Sequence, residues 1–302
     1  MAAVTSPRCG LGFRTLSAGR TFKDAEGRGP DQSIIDPKAG TTALSVSGPD
    51  RDLRPLRGKP TRCGSAPRGE KGQLGMVEVS AGTIVVYTDV ACGWSTLALD
   101  RFYRARARTG AQDKLRVDLR LFALEDVNRF PIPKRYLDAE IPVIGALEPD
   151  FGWKLWQNDI STWPNSTMLA NEAVHAAKRQ SLRAAEELDM AIRRAFFCDS
   201  GRIDLLHELI DIATRCPGVD EAELAVALDT GVARGEMMRE YHAHRDKVQG
   251  SPHFFLGDGS DVHNPGIQLH WVGEPGEGFP VIDADDPQTI NRLLDHALTI
   301  AR

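Results

Sequence analysis

The 302-residue sequence predicts an α/β fold that carries an inserted, all-helical subdomain. Two observations support this prediction. A strand–helix–strand pattern opens the folded region and is typical of a βαβ unit. A long block with helical periodicity then separates this unit from two further strands and a closing helix.

The βαβ unit is predicted from three consecutive segments. The apolar, β-branched run in residues 82–89 predicts a buried strand. The next segment, WSTLALDRFYRARAR, has apolar residues at helical spacing, which predicts an amphipathic helix. In KLRVDLRLFALED the apolar residues alternate with charged ones, so that Val117, Leu119 and Leu121 share one face of a second strand.

The rest of the domain follows in order. Residues 125–167 are rich in proline, and we expect loops there. The helical insertion is predicted at about residues 160–247, with four or five helices. SPHFFLGDG and GIQLHWVGE predict two strands, and Asp286 and Pro287 form a capping arrangement that predicts a final helix.

The N-terminal quarter of the chain has a different composition. Residues 1–75 are rich in Gly, Pro, Arg and Ser and contain no sustained hydrophobic period. We therefore expect a disordered or non-native N-terminal extension, followed by a domain at residues 76–302. Met76 is the expected start of the functional protein.

Charge and hydropathy argue against several functions. Residues 1–75 carry 13 Lys and Arg against 7 Asp and Glu, so in a chain of net charge −5 the remainder has a net charge of −11. An acidic domain argues against nucleic acid as a partner. The sequence contains no run of about 18 apolar residues, so no membrane span is predicted. No apolar leader is evident either, and we therefore expect a cytoplasmic protein.

The cysteines do not form a recognisable disulfide or metal pattern. An odd number of widely spaced cysteines, without a C-x-x-C pair, does not indicate a disulfide framework. No Cys/His set has zinc-site spacing, so we expect no metal. The five cysteines are Cys9, Cys63, Cys92, Cys198 and Cys216.

Cys92 lies in TDVACGWS, where the first strand gives way to the helix. A helix N-terminus favours negative charge, so we expect this thiol to ionise more readily than a free cysteine and to act as a nucleophile. Gly93 is expected to permit a tight turn, and Trp94 to cover one side of the sulfur. The alternative is a buried structural cysteine that happens to begin a helix.

Two other residues bear on this chemistry. Ser95, one helical turn after Cys92, is expected to donate a hydrogen bond to the thiolate. A serine cannot resolve a mixed disulfide, so dithiol exchange within the motif is excluded. Pro252, in VQGSPHFFL, precedes a strand and fits a tight turn with either a cis or a trans peptide bond.

The motifs DVACGWS and GSPHFF, the helical insertion and the closing helix together resemble the DsbA-like thioredoxin family. The resemblance covers roughly residues 80–301 and is strongest to the FrnE-like and 2-hydroxychromene-2-carboxylate isomerase-like branch. FrnE-like members carry C-P-W-C, and glutathione-using relatives carry S-P-Y-S. The motif of this chain combines the two patterns. It has a cysteine in the first position and a serine, Ser95, in the last, and Gly93 stands in place of the proline.

The resemblance implies a thioredoxin-like fold in which Cys92 is the nucleophile and Ser95 assists it. It also implies that Pro252 is the cis-proline facing the sulfur, and that the Ser251 backbone pairs with a bound thiol. We expect Trp94 to contact substrate. His253 is expected to contact substrate or tune the thiolate, with a solvent-facing strand histidine as the alternative.

The expected function is a thiol-dependent oxidoreductase that performs monothiol exchange on a thiol or disulfide substrate, either a small molecule or a protein. The alternative is a glutathione-dependent isomerase or transferase, resembling the chromene isomerases or kappa-class transferases. A third alternative is a redox-inactive binding module. Apart from glutathione as a cosubstrate, no cofactor is expected. We expect no nucleic-acid or membrane partner, and a homodimer is compatible with the sequence.

Overall fold

The computed structural model describes residues 77–131, 133–274 and 276–301. The predicted N-terminal extension, residues 1–75, and the predicted start at Met76 lie outside these ranges. None of the helices in the described ranges is long and apolar enough to cross a membrane.

The described residues form six strands and nine helices, joined by short 3-10 turns. The strands span Thr83–Thr88 (β1), Arg116–Leu121 (β2), His253–Phe255 (β3), Asp261–His263 (β4), Ile267–Val272 (β5) and Phe279–Asp285 (β6). The helices span Gly93–Arg108 (α1), Leu124–Asn128 (α2), Lys134–Leu147 (α3), Met168–Gln180 (α4), Leu182–Asp199 (α5), Leu206–Thr214 (α6), Glu221–Thr230 (α7), Val232–His244 (α8) and Gln288–Ile300 (α9).

A four-stranded mixed sheet in the order β2-β1-β3-β4 organises the domain. β1 runs parallel to β2, whereas β3 is antiparallel to both β1 and β4. Ile84 and Val86 belong to the main core with side chains of α1, α5 and α9, whereas Val85 and Tyr87 join a smaller cluster with Phe255. β1 is therefore buried on both faces, as its apolar run predicts.

The βαβ unit is confirmed. In α1 the predicted apolar face is buried, since Leu97, Phe102 and Ala105 are at most 1% exposed. Alternate residues of β2 are buried, including Val117 and Leu119. A fully buried Leu or Phe contributes roughly 1.5–3 kcal/mol, so these side chains fix the register of both elements.

The prediction of loops over residues 125–167 holds for residues 148–167, which contain only two short 3-10 turns, and is wrong for the part that contains most of α2 and all of α3. α3 forms although Pro142 lies inside it. An interior proline costs about 3 kcal/mol, whereas each of the buried side chains Leu137, Ile141 and Ile144 returns roughly 1.5–3 kcal/mol. Packing of this i, i+4, i+7 face outweighs the cost.

The C-terminal part contains more strands than the two predicted. β3 and β4 complete the main sheet, whereas β5 and β6 form a separate antiparallel hairpin with an irregular register between Gln268 and Leu269. The closing helix α9 is capped as predicted, since Asp286 Oδ1 accepts a hydrogen bond from the Gln288 backbone N–H at 3.1 Å.

A buried arginine holds both α3 and the β5–β6 hairpin against α1. Arg101 is 5% exposed and donates to the two carboxylate oxygens of Asp285 on β6, at 2.6 and 3.0 Å. Its Nε donates to Glu148, directly after α3, at 2.7 Å. These charge-assisted bonds keep the hairpin and α3 close to the middle of α1.

Candidate active site

Cys92 is the N-cap residue of α1. Its Sγ accepts a hydrogen bond from the Ser95 backbone N–H at 3.4 Å and donates one to the Ser251 carbonyl oxygen at 3.3 Å. The sulfur therefore lies between the N-terminus of a helix and the loop that enters β3. The unpaired N–H groups of a helix N-terminus favour negative charge at such a position.

The loop before β3 is tied to the cysteine loop by the Ser251 side chain. The Ser251–Pro252 peptide bond is cis. Ser251 Oγ accepts a hydrogen bond from the Asp89 backbone N–H at 3.2 Å and lies 2.5 Å from Ser95 Oγ, where either hydroxyl can be the donor. The Ser251 side chain therefore bonds to residues on both sides of Cys92, namely Asp89 and Ser95.

Cys92 is only 7% exposed and lies in an apolar cluster with Trp94, Leu97, Ile144 and Ile267. These side chains come from α1, α3 and β5. The sulfur is therefore enclosed by α3 and the hairpin as well as by its own helix.

Gly93 leaves room for the side chain of Ile144 on α3. Its φ angle is not positive. A Cβ atom at this position would instead lie 2.6 Å from Cδ1 of Ile144, well inside van der Waals contact. The absence of a side chain lets α3 approach the active-site loop.

The prediction of an easily ionised Cys92 is wrong. Burial raises the pKa of the thiol above its ordinary value, because the charged form loses water. Hydrogen bonds from Ser251 and Ser95 lower this pKa, but by less than burial raises it. The negative charge of Glu140 raises it further.

Trp94 and Glu140 form a second polar feature beside the sulfur. The indole Nε1 of Trp94 donates a hydrogen bond to Glu140 Oε1 at 3.0 Å. Burial raises the pKa of the Glu140 carboxyl to about 7, although the Trp94 hydrogen bond opposes this shift. Glu140 was missed from the sequence; the available signal was an acidic residue beside the apolar positions Leu137, Ile141 and Ile144.

The His253 ring, directly after Pro252, is buried at the start of β3. Its ring is 1% exposed, Nδ1 accepts from the Gln249 backbone N–H at 3.1 Å, and Nε2 lies 2.9 Å from Asp261 Oδ1. Burial lowers the pKa of His253. Both ring nitrogens have partners in the protein, so His253 does not face solvent; its contact with substrate stays a prediction.

The helical subdomain supports the cysteine loop from behind through Arg193 of α5, whose side chain is fully buried. It donates to the Asp89 carbonyl oxygen at 3.1 Å, to Thr96 Oγ1 at 2.9 Å and to Thr88 Oγ1 at 2.8 Å. Its Nε pairs with Asp189 at 2.8 Å. Sequence reasoning missed Arg193, since its role depends on how α5 packs.

The other two described cysteines lie elsewhere. Cys198 Sγ donates to the Phe151 carbonyl oxygen at 3.4 Å, and Cys216 lies against Ile212 after α6. Cys92, Cys198 and Cys216 are free thiols. Among the described residues, no group of three or more His, Cys, Asp or Glu side chains is arranged to hold a metal ion.

Comparison with known proteins identifies the family and the fold. Residues 83–275 match the sequence profile described as a DSBA-like thioredoxin domain. A search of curated proteins gave no significant match. Among solved structures, a putative protein disulfide isomerase from Nitrosomonas europaea has a TM-score of 0.50 and 12% identity, covering 73% of this chain and 98% of that one.

Two further solved structures are similar. The cytosolic disulfide reductase DsbM from Pseudomonas aeruginosa has a TM-score of 0.50 and 18% identity, covering 72% of this chain and 99% of that one. A 2-hydroxychromene-2-carboxylate isomerase has a TM-score of 0.45 and 19% identity, covering 60% of this chain and 87% of that one. The family match and the two structures at a TM-score of 0.50 confirm the predicted thioredoxin-like fold.

Proposed function

This chain belongs to the DSBA-like thioredoxin domain family, and we propose that it is a thiol–disulfide oxidoreductase that acts through the single cysteine Cys92. The observation that carries the proposal is the position of the sulfur. It caps the N-terminus of α1 and lies 3.3 Å from the Ser251 carbonyl oxygen, on the loop that enters β3. A thiolate formed there is stabilised by the Ser95 N–H.

In the first chemical step the Cys92 thiolate attacks one sulfur of a substrate disulfide. A bond forms between Cys92 Sγ and that sulfur, the substrate S–S bond breaks, and the other half leaves as a thiolate with the electron pair. Ser95 has no sulfur with which to resolve this mixed disulfide. An external thiol such as glutathione therefore attacks the substrate sulfur, forms a disulfide with it and releases the Cys92 thiolate, so the proposed reaction needs a supply of reduced thiol.

Loss of the thiol proton also prepares the substrate site. The Ser251 carbonyl oxygen accepts its hydrogen bond from Cys92 in the protonated form. Once the proton is gone, this oxygen is free to accept an N–H from the substrate chain beside its disulfide. Ser251 and Pro252 thereby align the substrate, and the Ser95–Ser251 hydroxyl pair keeps their loop in place.

Access to the sulfur requires a movement. Cys92 is 7% exposed, and Ile144 of α3 and Ile267 of β5 share its apolar cluster. A disulfide reaches the sulfur only when α3 or the hairpin moves away from α1. The enclosure restricts attack to substrates that displace these side chains.

A glutathione-dependent isomerase or transferase is the second candidate, and one observation favours it. Burial raises the pKa of Cys92, whereas two hydroxyl groups, those of Ser95 and Ser251, lie together beside it. In this alternative the hydroxyls hold the sulfur of glutathione, and Cys92 forms no disulfide.

A reduction assay distinguishes these functions. The full-length chain is tested with 2-hydroxyethyl disulfide and glutathione, together with the Cys92→Ser variant and the matched control Cys198→Ser. We expect Cys92→Ser to lose activity by at least about 100-fold, and Cys198→Ser to retain it. Full activity of Cys92→Ser overturns the proposal. Glutathione binding without disulfide reduction favours the isomerase or transferase, and neither binding nor reduction favours a redox-inactive binding module.

A further inference from the structure

Two isoleucines from different elements enclose the Cys92 sulfur. Ile144 lies on α3, and Ile267 is the first residue of β5. Both are buried, and both share an apolar cluster with Cys92, which is 7% exposed. We call these two side chains the cover of the active site. Whatever holds α3 and the β5–β6 hairpin in place therefore controls access to the sulfur.

Both parts of the cover are anchored to the same arginine of α1. Ile267 lies directly opposite Asp285 in the hairpin, and the two carboxylate oxygens of Asp285 accept hydrogen bonds from Arg101 at 2.6 and 3.0 Å. Glu148 follows Ile144 after about one helical turn, and its Oε1 accepts a hydrogen bond from Arg101 Nε at 2.7 Å. One guanidinium therefore holds a neighbour of each covering residue.

The buried position of Arg101 makes this link stronger than the others around it. Its side chain is 5% exposed, and a carboxylate bonded to two N–H groups of an arginine forms one of the stronger polar contacts in proteins. Arg135 and Glu277 also join α3 to the hairpin, at 3.9 Å, but their side chains are 63% and 70% exposed. Exposed ion pairs contribute little to stability.

The hairpin can move without disrupting the main sheet. Among the strands in the described ranges, β5 and β6 pair only with each other, and a two-stranded hairpin is marginally stable by itself. Most residues of β6 are partly or fully exposed. The position of the hairpin therefore depends on its contacts with α1 and α3, and elements with few buried contacts are those that open locally.

We propose that Arg101 is a latch that keeps the cover closed, and that release of Asp285 or Glu148 from Arg101 exposes the Cys92 sulfur to a disulfide. This inference rests on the proposed function, in which Cys92 attacks the substrate. Arg101 is then a positioning residue, because it bonds to carboxylates and affects the sulfur only through the side chains that enclose it.

The rate at which iodoacetamide alkylates Cys92 in the native full-length chain tests the latch. The reagent is small and uncharged, so at a given pH its rate reports how often the cover opens. Arg101→Met removes the cation and keeps an apolar side chain. We expect it to speed alkylation of Cys92 at least about 10-fold. An unchanged or slower rate overturns the inference.

The sign of the effect separates a latch from a direct electrostatic role of Arg101. A positive charge near a thiolate favours its charged form, so loss of the charge alone would leave less thiolate and slow alkylation. Loss of the latch speeds it.

Cys216 reports general loosening of the fold in the same sample. It is 6% exposed and lies in a different apolar cluster from Cys92, against α5 and α6. A latch predicts that Arg101→Met raises the ratio of Cys92 to Cys216 alkylation, measured by peptide mapping. If both rates rise equally, Arg101 stabilises the whole domain and the inference is overturned.

Arg106→Met is the matched control. Arg106 lies on the same helix and is 6% exposed, but its two hydrogen bonds to a carboxylate go to Glu186 of α5, away from the cover. It should leave the ratio of Cys92 to Cys216 alkylation unchanged. A ratio raised as much as in Arg101→Met would show that loss of any buried ion pair of α1 exposes Cys92, and would contradict the latch.

A milder variant keeps the test decisive if Arg101→Met does not fold. Asp285→Asn has the same size and retains one acceptor oxygen, so it weakens only the bond to the hairpin. Alkylation of Cys92 should again become faster relative to Cys216, by less than in Arg101→Met. An unchanged ratio in folded Asp285→Asn overturns the inference.

Incubation of the same variants with 2-hydroxyethyl disulfide separates the latch from the proposed function. If Arg101→Met speeds alkylation but Cys92 forms no mixed disulfide in any variant, the latch is supported and the proposed function fails. If Cys92 forms the mixed disulfide and its alkylation does not depend on Arg101, only the latch is refuted.

Discussion

The Sγ atom of Cys92 lies 3.3 Å from the carbonyl oxygen of Ser251, although 159 positions separate the two residues. The sheet explains this proximity. β1 and β3 are antiparallel neighbours, with Tyr87 opposite His253. The loop that leaves β1 and the loop that enters β3 therefore meet at the same edge of the sheet, where the N-terminus of α1 also begins.

The Ser251 hydroxyl should stabilise this meeting point. Ser251→Ala leaves the N–H of the fully buried Asp89 without its acceptor, so we expect a loss of about 1–3 kcal/mol in the free energy of unfolding. Ser95→Ala should cost less, because Ser251 then keeps its bond to Asp89. A double-mutant cycle by urea denaturation should give a coupling of about 1 kcal/mol between the hydroxyls. Strictly additive effects would show that the pair does not interact.

Arg193 should contribute strongly to stability. Arg193→Met leaves Asp189, which is 1% exposed, without its counter-charge. It also leaves several hydrogen-bond acceptors near Cys92 without their donor. Removing one partner of a buried pair costs about 3–5 kcal/mol. Arg183→Met, which breaks an exposed pair with Glu187 on the same helix, is the control and should change stability by at most about 1 kcal/mol. Equal losses in urea denaturation would refute the special role of Arg193.

The close approach of α3 to Gly93 can be tested by adding one methyl group. In Gly93→Ala the new Cβ would lie 2.6 Å from Cδ1 of the buried Ile144. Overpacking costs about 1–3 kcal/mol, and better helix propensity offsets up to about 1 kcal/mol of that. We expect a net loss of about 1 kcal/mol, together with faster alkylation of Cys92 by iodoacetamide.

Gly145→Ala is the matched control for this variant. It lies within α3, and its Cβ would be 3.5 Å from Cβ of Trp153, an ordinary contact. It should leave the alkylation rate unchanged. If Gly93→Ala also reacts at the wild-type rate, α3 does not restrict access to the sulfur.

The pH dependence of stability provides an independent test of the surroundings of Glu140. Burial raises its pKa from 4.5 to about 7 in the folded state, so the native chain binds this proton more tightly than the unfolded chain. The resulting stabilisation is complete below the unfolded pKa and is lost as the pH rises through about 7. We expect a decline of about 3 kcal/mol over this window, measured by urea denaturation. In Glu140→Gln this contribution should be absent; an identical pH profile would contradict the account.

Elements governed by local periodicity could be predicted from the sequence. β1, α1 and β2 have apolar patterns that match their burial. α3 was missed because the prolines in and around it indicate loops, whereas its formation depends on burying Ile141 and Ile144. β6 was missed because most of its residues are partly or fully exposed, so it lacks a clear apolar pattern and depends on pairing with β5.

The same distinction applies to the site. Cys92 and Ser251 belong to motifs at predictable junctions between elements, and the structure places them together. The direction of the Cys92 pKa shift was predicted wrongly, because burial is set by distant residues such as Ile267. The contact of Glu140 with Trp94 could not be predicted without knowing that α3 packs on α1.

The most direct test of the central claim is to identify which thiol forms a mixed disulfide when the native full-length chain is incubated with glutathione disulfide. Peptide mapping should find glutathione on Cys92, and reduced glutathione should release it completely. An unmodified Cys92, in a protein whose other cysteines become glutathionylated, would contradict the claim that this sulfur is the reactive atom.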